Sequence, residues 1–395
     1  MSEERAHPIM NREELSEDQL LAFREEFPIL SKRTYLISNS LGAMPRKTRD
    51  ALREYCDLWD TEGVEAWWKW LPMVTDVGDM IGAIINANPG SVMMHQNVAT
   101  LTAMVLSALD FTGERNKLVY DDMQFTSPHY VLQAWKKYGA VPVQVKTEDG
   151  IHIDTQAMLD AIDEKTLLVP ISLVLFRSGY IHDVKKIVEK AHSVGAMVLL
   201  DVYQGAGSVP IDVKELNVDF LVGGSVKFLC GGAGACYLYV REDLREKFSP
   251  AMTGWFSHKR PFKFEHEMDE AVDIHRWMGG SPSVPALYSA RSGYEIILQV
   301  GVDNIRKKSI RQTQLIVDLA DEGEMQVNSP RDPDHRAGFV VVNFDGSEPV
   351  HYKLIENGYN IDYRPGAGIR IAPHFYNTDE EITALFREIK RLREG

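Results

Sequence analysis

Between residues 98 and 335 the chain alternates short apolar runs with helical stretches, and this alternation constrains the fold more than any other feature. The runs "KLVYDD", "VPVQVK", "TLLVPISLVLF", "AMVLLDVY", "DFLVGGS" and "ACYLYV" have the length and composition of buried strands. The stretch "DVKKIVEKAHSVG" is typical of the helices between them. Continuous apolar strands separated by helices indicate a largely parallel sheet that is covered on both faces. The sequence therefore predicts an α/β fold.

A break rich in Pro, Asp and Gly, "VNSPRDPDHRAG", interrupts this pattern. The strand-like runs "FVVVNFDG", "YNIDYR" and "GIRIAP" and a C-terminal helix from about residue 378 follow it, which predicts a small α+β domain. We expect three parts: an N-terminal segment over 1–45 that packs with the small domain, a large α/β domain over 46–330, and the small domain over 331–395.

The N-terminal region carries helical patterns. A first helix is predicted over 14–27, where Ser16 and Gln19 form a weak capping box. The region 46–85 is predicted to be helical and aromatic-rich, with "WDTEGVEAWWKWLP" interrupting it as a loop. The tryptophans of that loop are either an aromatic wall of a substrate site or part of the core.

Composition excludes several classes of function. The formal net charge of −14 opposes binding to nucleic acid or to an anionic membrane, because phosphate-rich surfaces attract a basic excess. The acidic, polar start "MSEERAHPIMNREELSEDQLL" has no apolar core, so neither a signal peptide nor a membrane anchor is expected. Cys56, Cys230 and Cys236 are too few for a disulfide framework, and neither they nor the scattered histidines have metal-ligand spacing. We expect a cytoplasmic protein without a metal site.

One lysine, Lys227, stands inside the glycine-rich apolar stretch "DFLVGGSVKFLCGGAGACYLYV", and Asp201 closes the earlier run "MVLLD". Ligands of parallel α/β sheets sit at the carboxyl ends of the strands, so both residues are expected to face one crevice. An amine and a carboxylate so placed suit pyridoxal phosphate: the amine forms an imine with the aldehyde, and the carboxylate keeps the ring nitrogen protonated. A simple ion pair at the strand ends is the alternative.

Three stretches resemble those of a known family and follow one another in the same order as in that family: "YLISNSLGAMPRKT", "DVYQGAGSVPIDVKELNVDFLVGGSVKFLCGGAGACYLYV" and "IDYRPGAGIRIAPHFYNTDEE". The chain resembles the class V branch of the pyridoxal-phosphate aminotransferases over nearly its whole length, and within it is most similar to the kynureninases. The resemblance implies the fold type I of pyridoxal-phosphate enzymes, with a mostly parallel sheet of the seven-stranded type and a smaller C-terminal domain. It also implies pyridoxal 5'-phosphate as the cofactor.

The resemblance implies roles around the cofactor ring. Lys227 is implied to be the imine lysine and Asp201 the partner of the ring nitrogen. Gln204 is expected near the phenolic oxygen, as the equivalent glutamine is in cysteine desulfurases. Phe125 is expected to cover the ring with its aromatic face, and His129 is the competing candidate.

The phosphate needs hydrogen-bond donors, which the free amides of a helix N-terminus supply. "HQNVATLTAMVLSAL" turns from polar to apolar, so the amides of Asn97 and Val98 are expected to form the phosphate cradle; an ordinary capped helix is the alternative. Ser225 and the indole of Trp255 match further phosphate-contacting positions of the family. Ser281 resembles a residue that reaches the phosphate from the neighbouring subunit, which implies a homodimer.

A substrate carboxylate is expected at an arginine, because a guanidinium binds a carboxylate with two parallel hydrogen bonds. Arg370 in "GIRIAP" stands where the family keeps its carboxylate-binding arginine, and Asn39 and Ser40 are expected to close the same corner. Without the resemblance, a solvated arginine on a short strand is the ordinary interpretation of Arg370.

The chain departs from the kynureninases at three positions. Val226 replaces the tyrosine that precedes their lysine, Gln204 replaces a histidine, and Pro128 replaces an aspartate. A desulfurase is disfavoured as well, because no cysteine follows Cys236 to carry the sulfur. Kynurenine is therefore predicted to be a poor substrate; the alternative is that Tyr203 or His129 takes over the role of the missing donor.

The predicted function is a pyridoxal-phosphate enzyme that acts on a small amino acid or amine, with Lys227 as the shuttle for the Cα proton. Kynureninase-like lyase or hydrolase chemistry at Cβ is the first expectation. Transamination, as in a class V aminotransferase, is the alternative, and a non-catalytic binding module with the same fold is the second alternative.

Overall fold

The computed structural model describes residues 14–394; residues 1–13 of the predicted N-terminal segment and residue 395 lie outside that range. The helices are α1 (Glu17–Ala22), α2 (Thr48–Glu62), α3 (Trp67–Ile84), α4 (Val98–Ser107), α5 (Thr126–Ala134), α6 (Thr155–Ala161), α7 (Val184–Ser193), α8 (Val213–Leu216), α9 (Val284–Val300), α10 (Val302–Glu322), α11 (Ser347–Glu356) and α12 (Asp379–Glu394). The strands are β1 (Thr34–Tyr35), β2 (Val92–His95), β3 (Lys117–Asp121), β4 (Val141–Val145), β5 (Thr166–Ser172), β6 (Met197–Asp201), β7 (Phe220–Gly224), β8 (Cys236–Val240), β9 (Gln326–Val327), β10 (Val340–Asn343), β11 (Tyr359–Asn360), β12 (Asp362–Arg364) and β13 (Gly368–Ile371).

The largest sheet has seven strands in the order β2-β8-β7-β6-β5-β3-β4. The pairs β7–β6, β6–β5, β5–β3 and β3–β4 are parallel, whereas β8 runs antiparallel to both of its neighbours. Each predicted strand run forms one strand of this sheet, and β5 to β8 are buried along most of their length, as continuous apolar runs require. The predicted α/β fold with a mostly parallel sheet is confirmed.

The order of the strands sets the position of a ligand crevice. Strand β4 lies on one side of β3 and strand β5 on the other, so the direction in which the chain crosses the sheet reverses between them. Such a switch point opens a crevice at the carboxyl ends of the strands. Strands β5, β6 and β7 all end on that side of the sheet.

The edge strand β2, "VMMH", is absent from the sequence prediction. Its two methionines lack the branching at Cβ that favours strands, so the run carries a weak signal by itself. Its antiparallel pairing with β8 makes it a strand, and three of its four residues are buried.

The predicted loop "WDTEGVEAWWKWLP" is wrong. Helix α2 continues to Glu62, a short 3₁₀ turn follows at Gly63–Ala66, and α3 begins at Trp67. Pro72 lies inside α3, at its sixth residue, where it removes one backbone hydrogen bond of the helix. Trp70 is buried and its ring centroid lies 5.1 Å from that of Tyr55 on α2, so packing between the helices stabilises a segment whose composition suggested a loop.

The second sheet has four strands in the order β12-β13-β10-β9, with antiparallel neighbours. Helices α10, α11 and α12 contribute to its core, which includes Ile316, Val340, Leu354, Ile369, Ile371 and Leu385. Strand β9 belongs to this sheet although it precedes residue 331, the predicted start of the small domain. The domain boundaries stay a prediction.

The described part of the N-terminal segment contacts the C-terminal region. Strand β1 pairs in parallel with β11, and Ile37 forms a bridge with Ala372. These contacts place the segment beside the crevice of the large sheet.

Among the helices of residues 14–394, none combines the length and the apolar character that a membrane crossing needs.

Candidate active site

A cavity of about 510 Å³ lies where the large sheet ends. Side chains that follow β3, β5, β6 and β7 line it, together with the start of α4, the N-terminal segment and the second sheet. The predicted site residues that it brings together are Asn39, Ser40, Asn97, Val98, Phe125, Asp201, Gln204, Lys227 and Arg370. The position expected from the strand order is therefore the position of the cavity.

Asp201 is the last residue of β6, and Lys227 lies in the turn after β7. The amide of Tyr203 donates a hydrogen bond of 2.8 Å to Oδ1 of Asp201. Burial raises the pKa of Asp201 to about 6, against the lowering effect of the Tyr203 amide and of the Lys227 amine. Burial also lowers the pKa of Lys227 to about 7, an effect that Asp201 opposes and Arg370 adds to. Burial thus favours the neutral form of the Lys227 amine, which is the form that a nucleophilic lysine requires.

The N-terminal segment reaches the cavity because it packs on the turn that carries Lys227. The amide of Gly42 donates to the carbonyl of Val226 at 2.6 Å. A Cβ atom at Gly42 would lie 2.1 Å from the carbonyl oxygen of Lys227, so any other residue would push the segment away. Glycine at this position lets the chain approach closely enough to place Asn39 and Ser40 in the cavity wall.

Buried polar atoms in the cavity lack partners among the described residues. Asn39 is fully buried, and neither its amide nitrogen nor its amide oxygen has a hydrogen bond. Oε1 of the buried Gln204 lacks one too. Because an unpaired buried polar group costs free energy, such groups in a cavity indicate a polar ligand.

The start of α4 forms another part of the wall. Oδ1 of Asn97 accepts from the amide of Thr100 at 2.8 Å and from its hydroxyl at 3.0 Å, so Asn97 is the N-cap. Gln96, Asn97, Val98 and Ala99 line the cavity at the positive end of the helix dipole. A capped helix whose first turn faces a cavity suits a phosphate.

Arg370 on β13 is buried and held by an ion pair. Its Nε donates to Oδ1 of Asp362 at 2.7 Å and its Nη2 donates to Oδ2. Its Nη1 donates to the carbonyl of Phe176 at 2.7 Å. Asp362 and Arg370 lie directly opposite each other on the antiparallel strands β12 and β13, which places both side chains on one face. The ordinary interpretation of a solvated arginine is therefore wrong for this residue.

Two further cavity residues lie in the quoted motifs: Arg364, which the sequence did not single out, and Tyr203, which it offered only as a substitute for the missing proton donor. Arg364 lines the cavity and pairs with Asp362 at 3.1 Å. Tyr203 lines it as well, and the amine of Lys227 lies 4.6 Å from its ring centroid. The signal was present in "IDYRPGAGIR" and "DVYQGAG", but the sequence did not tell which of these side chains face inward.

Phe125 and His129 differ in position. Phe125 lines the cavity, and the amine of Lys227 lies 5.8 Å from its ring centroid. Nδ1 of His129 instead lies 3.4 Å from the side-chain nitrogen of Gln144. Phe125 therefore lies in the cavity wall and His129 is not among the lining residues, and the ring-covering role stays a prediction.

The cavity of the single chain does not include Ser225, Trp255 or Ser281. The Ser225 hydroxyl is buried and contacts the carbonyl of Ala235 and the hydroxyl of Tyr294. Trp255 lies in a 3₁₀ turn and stacks on Phe264 with centroids 5.8 Å apart. Ser281 is exposed on the chain. The predicted phosphate contacts of these three residues stay predictions.

Residues 35–385 match the family model described as aminotransferase class-V. The chain belongs to the class-V aminotransferase family. It is a pyridoxal-phosphate enzyme, and pyridoxal 5'-phosphate is its cofactor. Within residues 14–394, no group of three or more His, Cys, Asp or Glu side chains has the geometry of a metal site.

Curated relatives cover nearly the whole chain. The kynureninase of Geobacillus thermodenitrificans (strain NG80-2) is 27% identical over 396 residues, which span 95% of this chain and 92% of the relative. The uncharacterized aminotransferase YcbU of Bacillus subtilis (strain 168) is 29% identical over 367 residues, which span 93% of this chain and 96% of the relative. The chain is thus similar to proteins with different named activities.

Solved structures share the fold. The apo cysteine desulfurase of Thermococcus onnurineus NA1 superposes with a TM-score of 0.85 at 20% identity, covering 97% of this chain and 99% of that one. A mutant of C-DES with glycine covalently linked to its PLP cofactor has a TM-score of 0.85 at 20% identity, covering 93% and 98%. This likeness confirms the fold type I architecture.

The residues of the cavity fit the cofactor. The buried amine and carboxylate suit its aldehyde and its ring nitrogen, and the first turn of α4 suits its phosphate. The unpaired amide groups of Asn39 and Gln204 add polar partners for a ligand. The cavity therefore has the chemistry that a pyridoxal-phosphate site requires.

Proposed function

We propose that this enzyme acts on a small amino acid and that its reaction, of the kynureninase type, cleaves or eliminates a bond at Cβ. The observation that carries the proposal is one cavity that holds a buried Asp201–Lys227 pair and a buried arginine, Arg370. When bound, pyridoxal phosphate supplies an electron sink that stabilises negative charge on the Cα atom of an amino acid.

Lys227 is the group that moves the Cα proton in this proposal. Its pKa is lowered to about 7 by burial, so the free amine accepts a proton near neutral pH and returns it at the next step. Asp201 would hold positive charge at the cofactor nitrogen, and Gln204, whose Oε1 has no partner, would lie near the phenolic oxygen. Phe125 would exclude water from one ring face.

The phosphate would be held by Asn97 and Val98 at the start of α4, with Ser225 and Trp255 as further contacts. We propose that the enzyme is a homodimer and that Ser281 of one subunit completes the site of the other. The exposure of Ser281 and its position outside the cavity of its own chain support this arrangement.

The substrate carboxylate would bind Arg370, assisted by Asn39 and Ser40. Three of the five N–H groups of Arg370 donate to Asp362 and Phe176, which fixes the plane of the guanidinium and leaves two donors for a ligand. Asp362 is therefore a positioning residue. Holding the carboxylate in one place orients the Cα proton toward Lys227.

Kynurenine itself is proposed to be a poor substrate. Val226, Gln204 and Pro128 all line the cavity, where kynureninases carry a tyrosine, a histidine and an aspartate. Val226 donates no proton, and removal of a positioned donor typically costs about 10²-fold or more in rate. Transamination is the second candidate, and the 29% identity to a protein named an aminotransferase favours it over a non-catalytic module.

A substrate screen tests the proposal. The holoenzyme is mixed with each amino acid, and absorbance of the bound cofactor, release of amine or ammonia, and keto acid formation are followed with and without an added keto acid. Products cleaved at Cβ without an added keto acid support the proposal. Turnover that depends on the keto acid supports transamination instead, and anthranilate release from kynurenine at ordinary enzyme rates would show that the interpretation of Val226 is wrong.

A further inference from the structure

Tyr203 forms part of the cavity wall, but its ring has no role in the proposed reaction. It lies two residues beyond Asp201, and its amide donates to that carboxylate at 2.8 Å. The amine of Lys227 lies 4.6 Å from the centroid of the Tyr203 ring, closer than the 5.8 Å to the Phe125 ring. An aromatic face so close to a lysine amine attracts its positive charge.

The ring of Tyr203 has a fixed place because Gly224 leaves room for it. A Cβ atom at Gly224 would lie 2.3 Å from Cε2 of Tyr203 and 2.4 Å from Cζ, so a side chain at this position would displace the ring. Gly224 ends β7 and pairs with Cys236 on β8. The ring therefore lies over the backbone of one strand at the end of the sheet.

The hydroxyl of Tyr203 interacts with the thiol of Cys236, which lies beside the start of α4. The Tyr203 amide, its ring and its hydroxyl thus contact three different parts of the cavity wall. Burial also raises the pKa of the Tyr203 hydroxyl well above its ordinary value, which opposes a role in proton transfer.

We propose that Tyr203 is a positioning residue for the cofactor, and that it acts through the face of its ring rather than through its hydroxyl. The ring provides a rigid aromatic wall beside Lys227, in addition to Phe125. Gly224 and Cys236 keep that wall in place. This proposal concerns cofactor binding, so it does not depend on which amino acid the enzyme uses.

Two substitutions separate the ring from the hydroxyl. Tyr203→Phe keeps the ring and removes the hydroxyl, whereas Tyr203→Leu keeps much of the apolar volume and removes the aromatic face. Tyr237→Leu is the matched control, because Tyr237 lies against Gly223 as Tyr203 lies against Gly224, yet it does not line the cavity. Thermal unfolding of each apoprotein shows whether a variant still folds.

The readout is the dissociation constant of pyridoxal phosphate, measured by titration of the apoprotein while cofactor absorbance is followed. We expect Tyr203→Leu to weaken binding about tenfold and Tyr203→Phe to stay within about twofold of the parent, as the loss of one aromatic contact predicts. Tyr237→Leu is expected to bind the cofactor like the parent. Should Tyr203→Leu fail to fold, Gly224→Ala, which displaces the ring, is measured in its place with the same expected weakening.

Two results would overturn the proposal. One is that Tyr203→Leu or Gly224→Ala folds and binds the cofactor as tightly as the parent. The other is an equal loss in Tyr203→Phe and Tyr203→Leu, which would assign the effect to the hydroxyl. A failed substrate screen would leave this comparison intact, because the dissociation constant is measured without substrate.

Discussion

The pH dependence of covalent cofactor capture by the apoprotein should reflect the burial of Lys227 and the charges around it. Capture requires the neutral amine, and burial lowers the pKa of Lys227 from 10.5 to about 7. At pH 7.5 an amine with the ordinary pKa is about one part in a thousand neutral, whereas an amine with a pKa near 7 is mostly neutral. The rate of capture near neutral pH should therefore be up to roughly a thousandfold above that of an ordinary lysine.

The charges that face Lys227 set the direction in which each variant moves this pKa. Asp201 and Asp362 raise it, and Arg370 and Arg364 lower it. Asp201→Asn should therefore move the midpoint of the pH profile to lower pH. Arg370→Met should move it to higher pH, because it removes a cation and leaves more of the Asp362 charge uncompensated.

The assay is the initial rate of covalent capture, trapped with borohydride and measured across the range from about pH 5 to about pH 10. Asp219→Asn is the matched control, since Asp219 is a buried carboxylate immediately before β7 that pairs with His192 and Arg241 instead. It should leave the midpoint unchanged. A parent midpoint near the ordinary pKa of lysine, or a shift of both cavity variants in one direction, would refute the reasoning.

Three further outcomes are expected. Lys227→Ala should abolish borohydride-stable attachment of the cofactor while leaving the unfolding midpoint of the apoprotein within a few degrees of the parent, because a single buried amine is lost. Asp201→Asn should retain cofactor binding but slow exchange of the substrate Cα proton, followed by NMR in D₂O, by about 10²-fold or more, because the ring nitrogen loses its partner. Mixing inactive Lys227→Ala chains with inactive Ser281→Trp chains should restore part of the activity, because one site of each mixed dimer regains both groups.

Each of these outcomes has a clear contrary result. Peptide mapping that finds the cofactor on another lysine would contradict the role of Lys227. Proton exchange by Asp201→Asn within tenfold of the parent would mean that the carboxylate serves another purpose. A fully active monomer in sedimentation would contradict the contribution of Ser281 across an interface.

The hydrophobic pattern of the chain predicts the layered fold, and with it the place of the central pair. Apolar runs of strand length, separated by helices, allow little other than a parallel sheet covered on both faces. The carboxyl ends of parallel strands meet at one edge, so Asp201 and Lys227 had to come together. This part was predictable because the hydrophobic pattern is a local property of the chain.

Tertiary structure decided the features that depend on contacts between distant segments. The stretch at 59–72 is helical because Trp70 packs against Tyr55, and β2 is a strand because β8 pairs with it. The burial of Arg370 depends on an opposite carboxylate, Asp362, on the neighbouring strand.

For the same reason, the sequence does not show that the ring of Tyr203 lies in the cavity wall. Its ring lies in the cavity wall because Gly224, on another strand, has no side chain. A sequence records which side chains are present in each segment. Which of them meet is set by the register of strands far apart in the chain, where a shift of one residue turns a side chain from one face of a strand to the other.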